Sequence, residues 1–248
     1  MTSNLVKTFK KFQKYKWDSY TLWSDFIEMS ALSISIPVDI KQRARRSKRY
    51  LEISNKYTKE ELGIFADMLG SLVLDLEEDP RDVLGEAFME LELGNKWKGQ
   101  FFTPYNLAYL LAEQTISKES VEDAIKDKGY FTVIDEACGG GVTLMAAFSL
   151  VHDMGFNPQN IMVIEGRDLD ARSCHMSYVQ LSLLGANAVI RQRDALASLD
   201  TPDDDIWFTP FYLMGGWKYR TRVGKFERDV KTVTDDDEQV SFLVSEVS

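Results

Sequence analysis

A glycine-rich turn follows the first segment that has the character of a buried strand. It reads Val133-Ile-Asp-Glu-Ala-Cys-Gly-Gly-Gly-Val-Thr143, where an acidic residue precedes three glycines and a helical pattern. Glycines let the backbone approach a ligand closely, and a helix start offers free N–H groups. The turn lacks the Lys-Ser/Thr ending of a triphosphate loop, and Leu144 stands where a dinucleotide fold has its last glycine. The pattern therefore disfavours a nucleotide triphosphatase and a nicotinamide enzyme.

Two further acidic positions follow strand-like segments. Asp168 lies in Ile164-Glu-Gly-Arg-Asp-Leu-Asp170, where a carboxylate can accept both ribose hydroxyls of an adenosine. Asp194 follows the next strand-like segment, where a carboxylate can accept an adenine amino group. Taken alone, Asp168 or Asp170 would more often cap the following helix. Together with the glycine turn, these acidic strand ends predict a pocket for an adenosyl group without phosphates.

The last strand-like segment ends in a proline between aromatic rings. Residues 203–212 read Asp-Asp-Asp-Ile-Trp-Phe-Thr-Pro-Phe-Tyr. Such an ending can form the floor of a pocket for a flat substrate, and it can equally form a hydrophobic plug.

The elements that must position these residues are short strands alternating with helices. The strand-like runs cover residues 130–135, 160–165, 188–192 and 205–208. This alternation predicts a parallel sheet with helices on both faces, whose ligands sit beyond the carboxyl ends of the strands. Thr103-Pro104 is typical of a helix N-cap followed by proline, and it opens a helix over residues 105–115.

The amino-terminal part of the chain has helical patterns only. Residues 17–36 have helical spacing and end at Pro37, and Thr58-Lys-Glu-Glu61 is a capping box. Asp79-Pro80 is expected to cap a further helix that Gly94 stops. We therefore expect a helical region over residues 1–95 and an α/β domain over residues 96–248.

Composition narrows the class of protein. The chain has 248 residues, of which 44% are hydrophobic, and no run of 18 apolar residues predicts a membrane span. Two cysteines, Cys138 and Cys174, do not make a disulfide framework, and two histidines without clustered cysteines do not predict a metal site. We expect a reducing cytoplasm and no membrane partner.

Charge is unevenly distributed along the chain. The net charge is −10, yet residues 1–50 hold 11 Lys and Arg against 4 Asp and Glu. A basic run in this part can bind the phosphates of DNA, or it can form a solvated helix face that balances an acidic body. Its cationic residues are Lys41, Arg43, Arg45, Arg46, Lys48 and Arg49.

Four of these motifs, in this order, resemble those of S-adenosylmethionine-dependent N6-adenine DNA methyltransferases. The likeness is greatest to the modification subunit of type I restriction systems and to its shorter relatives on phages and mobile elements. It covers residues 17–220 approximately, and the helical lead-in from Asp82 to Glu90 shares it. The segments are Gly99-Gln-Phe-Phe-Thr-Pro104, Asp135-Glu-Ala-Cys-Gly-Gly-Gly141, Gly166-Arg-Asp168 and Asp194-Ala-Leu196.

The resemblance implies S-adenosylmethionine as cofactor, a Rossmann-like methyltransferase sheet, and specific contacts. Thr103 and Pro104 would contact the methionine end, Asp168 the ribose hydroxyls and Asp194 the adenine amino group. The glycine turn would line the pocket through Asp135, Ala137, Gly139 and Gly141. Two residues depart from the family pattern: Glu136 replaces a usual proline, which adds charge near the cofactor's carboxylate, and Gly140 replaces a usual serine.

The same resemblance assigns the last strand's ending to the target base. In the family this strand ends in Asn/Asp-Pro-Pro-Tyr/Phe, whose polar side chain accepts hydrogen bonds from the adenine amino group while the ring stacks on the flipped base. Here the matching residues are Thr209, Pro210, Phe211 and Tyr212. Thr209 has no carbonyl acceptor, so the polarising group is missing.

Two hypotheses follow. The chain is an N6-adenine DNA methyltransferase, or it is a non-catalytic relative that binds S-adenosylmethionine or a restriction-modification partner in an accessory or anti-restriction role. Residues 213–248 supply few elements after the catalytic motif, so the sheet looks truncated. We expect a protein partner or a second copy to complete the site.

Overall fold

A four-stranded sheet lies at the centre of the computed structural model, which describes residues 3–15, 17–93, 103–194 and 205–217. The strand order is β1-β2-β3-β4, with β1 at Phe131–Asp135, β2 at Met162–Asp168, β3 at Ala188–Gln192 and β4 at Asp205–Phe208. The first three strands are parallel, with Asp135 opposite Gly166 and Asp168 opposite Gln192. Their carboxyl ends therefore meet at one edge of the sheet, called the carboxyl edge below.

The fourth strand corrects the expectation of a parallel sheet. It runs antiparallel to β3, with Asp205 opposite Gln192 and Phe208 opposite Val189. A parallel return needs a crossover of a dozen or more residues, which is usually a helix. Residues 169–187 provide such a crossover, with a helix, between β2 and β3, whereas the twelve residues 193–204 that join β3 to β4 are at the lower limit for one. This shorter connection is consistent with an antiparallel neighbour.

Helices occupy most of the remaining described chain. Five precede residue 95 and confirm the expected helical region, α2 and α4 among them close to the predicted positions. A short 3₁₀ helix at Lys10–Lys14 also lies there. The α-helices are α1 Asn4–Phe9, α2 Ser19–Ser35, α3 Arg43–Ser54, α4 Lys59–Glu78, α5 Val83–Glu90, α6 Tyr105–Thr115, α7 Lys118–Lys128, α8 Val142–Asp153, α9 Pro158–Ile161, α10 Ala171–Leu183 and α11 Pro210–Met214.

Helix starts follow the local chemistry, with two corrections. The Thr58–Glu61 capping box is present at the start of α4, as predicted. The cap of α5 is Asp82, whose side chain accepts from Gly85 N–H at 2.8 Å, so the prediction of a cap at Asp79-Pro80 was wrong. Pro104, not Thr103, occupies the N-cap position of α6, and it makes no side-chain cap.

One hydrophobic cluster joins the helical region to the sheet. It extends from Leu5 through Trp23 to Ile164 and Trp207, and α2 packs against α10 within it. A smaller cluster holds five buried residues, namely Val163, Val189, Phe208, Tyr212 and Trp217. Among the described residues, no helix is both long and apolar enough to cross a membrane.

Candidate functional site

The glycine turn lies at the carboxyl edge, directly after β1. Asp135 holds its first bend, because its Oδ1 accepts from Ala137 N–H at 2.9 Å and its Oδ2 accepts from the Thr143 hydroxyl. Gly139 and Gly141 both have positive φ, 53° and 94°, which side-chain-bearing residues rarely adopt. The turn therefore needs glycine at these two positions and a carboxylate at its base.

Asp168 is placed beside this turn. Its Oδ2 accepts from Gly139 N–H at 2.9 Å, and its Oδ1 accepts from Asp170 N–H at 2.8 Å. Each carboxylate oxygen can accept a further hydrogen bond, so both remain able to take a ligand hydroxyl. The two amides fix the orientation of the carboxylate before any ligand binds. Asp170 caps α10 through Ser173 N–H, as expected for an ordinary helix start.

Asp194 follows β3 at the same edge. Arg193 N–H donates to the Asp168 carbonyl at 2.9 Å, which ties the chain after β3 to the end of β2. The structure therefore brings Asp135, Asp168 and Asp194 to one edge, as the order of the sequence motifs predicted.

Glu136, the departure in the turn, is paired with a cation. Arg167 Nη1 donates to both Glu136 oxygens, at 2.8 and 2.9 Å, and its Nε and Nη2 donate to Glu165 Oε1. Buried Arg191 donates to the same Glu165 oxygen at 3.2 Å. The added charge of Glu136 is therefore offset within the sheet edge.

Close packing behind the turn leaves no room for side chains. A Cβ on Gly141 would lie 2.7 Å from the Ser177 hydroxyl, and a Cβ on Gly166 would lie 2.9 Å from Leu144 and Ile190. The backbone of the turn is thus held against α10 and presents its other side to a ligand. A glycine cradle with an oriented carboxylate fits an adenosyl group, which has hydroxyls to donate and no phosphate to neutralise.

Thr103 and Pro104 line a separate cavity of about 430 Å³ near the turn. The cavity is also lined by Asp82, the N-cap of α5, and by Gly85 and Glu86 of that helix. Thr103 and Pro104, which we expect at the methionine end of the cofactor, thus share a cavity with the helical lead-in. The acidic residues of this cavity were not predicted from the sequence.

Asp82 and Gln180 form a polar connection that sequence reasoning missed. Gln180 Nε2 donates to Asp82 Oδ1 at 2.8 Å and to the Gly140 carbonyl at 3.0 Å, and Gln180 Oε1 accepts from Leu84 N–H. All of these groups are buried. The spacing of Asp82 and Gly85 could have indicated a cap, but a partner 98 residues away in the chain has no local signal.

The four residues assigned to the target base lie near the amino-terminal end of β3, at the edge of the sheet opposite the carboxyl edge. Thr209 is fully buried, and its hydroxyl donates to the Ala186 carbonyl at 2.7 Å and accepts from Ala188 N–H at 2.9 Å. Ala188 begins β3, roughly 13 Å from the carboxyl end of that strand at 3.3 Å per residue. The expectation that this motif faces the glycine turn is contradicted by the antiparallel β4.

The rings of this motif pack mainly inside the molecule. Tyr212 is fully buried and stacks on Phe208, with ring centroids 5.5 Å apart. Pro210 begins α11, and Phe211 lies partly exposed beside a cavity of about 350 Å³ at the same edge. This arrangement favours the hydrophobic plug over the base pocket.

The basic run forms α3 and the residues just before it, and most of its charge is paired. Arg46 is 1% exposed and is bonded to Asp39, so it is not available to DNA. Arg45 pairs with Asp205 at 2.5 Å, and Arg49 makes a two-pronged pair with Glu28. Arg43 donates to two backbone carbonyls, those of Ile36 and Pro37. Lys48 stays exposed.

The two cysteines are buried free thiols. Burial, together with a smaller contribution from the nearby carboxylates of Asp168 and Asp135, raises the pKa of Cys138 to about 12. Cys174 is also buried, and its pKa is raised by burial. Protonated thiols are poor nucleophiles, so both cysteines serve in packing.

Comparisons with known proteins agree with the family that the motifs resemble. The family model described as N-6 DNA Methylase matches residues 81–224. No curated protein matches the chain.

Two solved structures are similar in outline. One, from Listeria monocytogenes, is described as a class I S-adenosylmethionine-dependent methyltransferase; it is 15% identical with a TM-score of 0.44, covering 88% of this chain and 69% of that one. The other is the methyltransferase subunit of a type I restriction-modification system from Streptococcus thermophilus. It is 20% identical with a TM-score of 0.41, covering 78% of this chain and 43% of that one. This chain therefore spans less than half of the Streptococcus subunit.

Proposed function

Because the chain belongs to the N-6 DNA methylase family, we propose that it binds S-adenosylmethionine at the carboxyl edge and that its methyl acceptor is adenine in DNA. When bound, this cofactor supplies an activated methyl group. The residues of the chain hold and orient it.

The observation that carries the proposal is the fixed pair of Gly139 and Asp168. The amide of the glycine turn and the carboxylate that ends β2 are joined at 2.9 Å, so the turn and the ribose acceptor form one rigid unit. Asp170 N–H holds the second carboxylate oxygen. A preorganised carboxylate does not lose conformational entropy again when a ribose binds.

The other contacts to the cofactor follow from the arrangement of the same sheet edge. Asp194 accepts the adenine amino group, while Asp135, Ala137 and Gly141 shape the turn. Thr103 and Pro104 contact the methionine end through the cavity that they line with Asp82. The shared edge at which Asp135, Asp168 and Asp194 follow their strands supports these assignments.

Calorimetric titration with S-adenosylmethionine tests the cofactor site. Wild-type protein is expected to bind, and Asp168→Ala is expected to weaken binding by about 10-fold to 100-fold, because a charged acceptor of two hydroxyls is lost. Glu60→Ala is the matched control, since Glu60 is an exposed carboxylate of α4 in the helical region, where it pairs with Lys14. Absence of wild-type binding, or equal affinities for both variants, would overturn the proposal.

For DNA, the proposal relies on the exposed cations around α3. Arg45, Lys48 and Arg49 line a cavity of about 500 Å³ that reaches Gln192 at the carboxyl edge. Lys41 and Arg43 are exposed just before and at the start of α3. Phosphate contacts by such residues release counterions and so depend on salt. Arg46 is excluded from this set because it is buried.

A catalytically inactive relative is the second candidate, and the antiparallel β4 favours it. Thr209 and Tyr212 are buried at the edge opposite the glycine turn, so in this arrangement they cannot polarise or stack on a base that receives the methyl group. Transfer of labelled methyl groups to adenine in unmethylated DNA separates the candidates. Transfer by the chain alone supports the enzyme, whereas cofactor binding without transfer supports the inactive relative.

Capture of the chain by a type I restriction complex tests the accessory or anti-restriction role, and lack of capture would count against it. Completion of the site by a second copy, the division at residue 95, the cytoplasmic location and a phage or mobile-element origin stay predictions.

A further inference from the structure

One buried carboxylate has an oxygen that the fold does not use. Asp82 is 2% exposed, and its Oδ1 accepts both from Gly85 N–H at 2.8 Å and from Gln180 Nε2 at 2.8 Å. In the part of the chain that the structure describes, Oδ2 accepts no hydrogen bond. A buried carboxylate without a cationic partner is costly, and burial raises the pKa of Asp82 to about 6.

This carboxylate lines the cavity that also holds Thr103 and Pro104. Among its described lining residues are two carboxylates, Asp82 and Glu86, and neither lysine nor arginine. Glu86 is half exposed and already paired with Arg81 at 2.9 Å. The cavity thus has an acidic wall with one unsatisfied acceptor, which suits a cationic ligand group.

Glycine at position 85 is required to seat this acceptor. A Cβ on Gly85 would lie 2.1 Å from Asp82 Oδ2, a distance that atoms do not tolerate. The backbone of α5 therefore leaves space for the second oxygen of Asp82 while the first oxygen caps the helix.

The cavity is connected to the glycine turn by hydrogen bonds. Asp82 Oδ1 is bonded to Gln180, and Gln180 is bonded to the Gly140 carbonyl at 3.0 Å. The next amide toward the amino terminus, Gly139 N–H, is bonded to Asp168. A ligand whose ribose lies on Asp168 therefore has, beyond the turn, a cavity whose polar wall belongs to the same network.

We propose that Asp82 Oδ2 binds the α-ammonium group of the amino-acid end of the ligand held at Asp168. This inference rests on the proposed function, since S-adenosylmethionine carries such a group on the side of the ribose away from the adenine. An ammonium ion is a strong donor, and a desolvated carboxylate is its matching acceptor. Asp82 is then a binding residue that reaches the site from the helical region.

The test compares two ligands that differ in the amino-acid end. Methylthioadenosine keeps the adenosine and the sulfur but lacks the ammonium and carboxylate groups. Asp82→Asn replaces the cavity-facing oxygen with an amide nitrogen and keeps an oxygen for Gly85 N–H and Gln180. Titration of wild type and variant with both ligands is expected to show about a 10-fold to 100-fold loss for S-adenosylmethionine in the variant, and a change within about twofold for methylthioadenosine.

Glu90→Gln serves as the matched control, because it removes an exposed carboxylate of the same helix that is not among the described residues lining the cavity; both ligands are expected to keep their affinities within about twofold. Equal losses of both ligands in Asp82→Asn would mean that Asp82 only supports the glycine turn, and no loss would mean that it does not contact the ligand. Either result overturns the inference, while wild-type binding of methylthioadenosine preserves the proposed function. Failure of wild type to bind either ligand would overturn both.

Discussion

At the scale of single residues, Thr209 shows how a motif position can have a structural role. Its hydroxyl bridges the loop before β3 and the start of that strand, through the Ala186 carbonyl and Ala188 N–H. An asparagine at this position, which the family pattern would restore, has to fit a larger polar group into a fully buried site. In this structure the substitution would disturb packing far from the glycine turn.

Thr209→Val tests this role because valine keeps the shape and removes the hydroxyl. We expect the free energy of unfolding to fall by about 1–3 kcal/mol, since Ala188 N–H and the Ala186 carbonyl lose a buried partner. Affinity for S-adenosylmethionine is expected to stay within about twofold. Chemical denaturation and calorimetry measure the two quantities.

Thr115→Val is the control for that substitution, because Thr115 is exposed and, within the described part of the chain, its hydroxyl donates to carbonyls of its own helix alone. Its effect on the free energy of unfolding should stay within about 0.5 kcal/mol. A Thr209→Val protein of unchanged stability that has lost cofactor affinity would contradict the structural role.

At the scale of elements, α3 divides into a buried cation and exposed ones. Arg46 bonds to Asp39 at 2.8 Å and to the Ile206 carbonyl at 2.8 Å, and its guanidinium lies 4.0 Å from the centre of the Trp207 ring. These contacts attach α3 to β4, across 160 residues of chain. Lys48, two residues later, faces solvent.

The two residues are expected to respond differently to alanine. Arg46→Ala should lower the free energy of unfolding by about 3–5 kcal/mol, because Asp39 is left buried without its cation. Lys48→Ala should change stability by no more than about 0.5 kcal/mol and, if α3 contacts DNA, should reduce the salt dependence of binding by about one phosphate. Denaturation and fluorescence anisotropy at several salt concentrations measure these effects. An Arg46→Ala protein of full stability would contradict the burial argument.

At the scale of the whole molecule, the helical region and the sheet share one core. Trp23 and Phe26 of α2 belong to the same cluster as Leu144 and Ile164, and α2 packs on α10. The polar network adds a second link, because Asp82 lies before residue 95 and Gly140 after it. The helical region and the sheet thus share packing and polar contacts, and each of them contributes groups to the candidate site.

The sequence was sufficient to predict features whose pattern lies within a few neighbouring residues. The strands, the capping box at Thr58, the glycine turn and the acidic strand ends are all recognisable from neighbouring residues. Because the carboxyl ends of successive parallel strands meet at one edge, the order of the motifs also predicted that Asp135, Asp168 and Asp194 lie together. The basic character of α3 could also be predicted from the sequence, although the ion pairs of its arginines could not.

Tertiary structure decided what depends on partners distant in the chain. The direction of β4 cannot be read from its four residues, since a strand has the same pattern in either direction. It moved Thr209 to the opposite edge and placed Asp205 against Arg45. Hydrogen bonds such as that of Gln180 to Asp82 join positions about a hundred residues apart, and only folding brings them together. The sequence by itself therefore determined the family and the glycine turn with its acidic companions, while the tertiary structure decided which charged groups are left for a ligand.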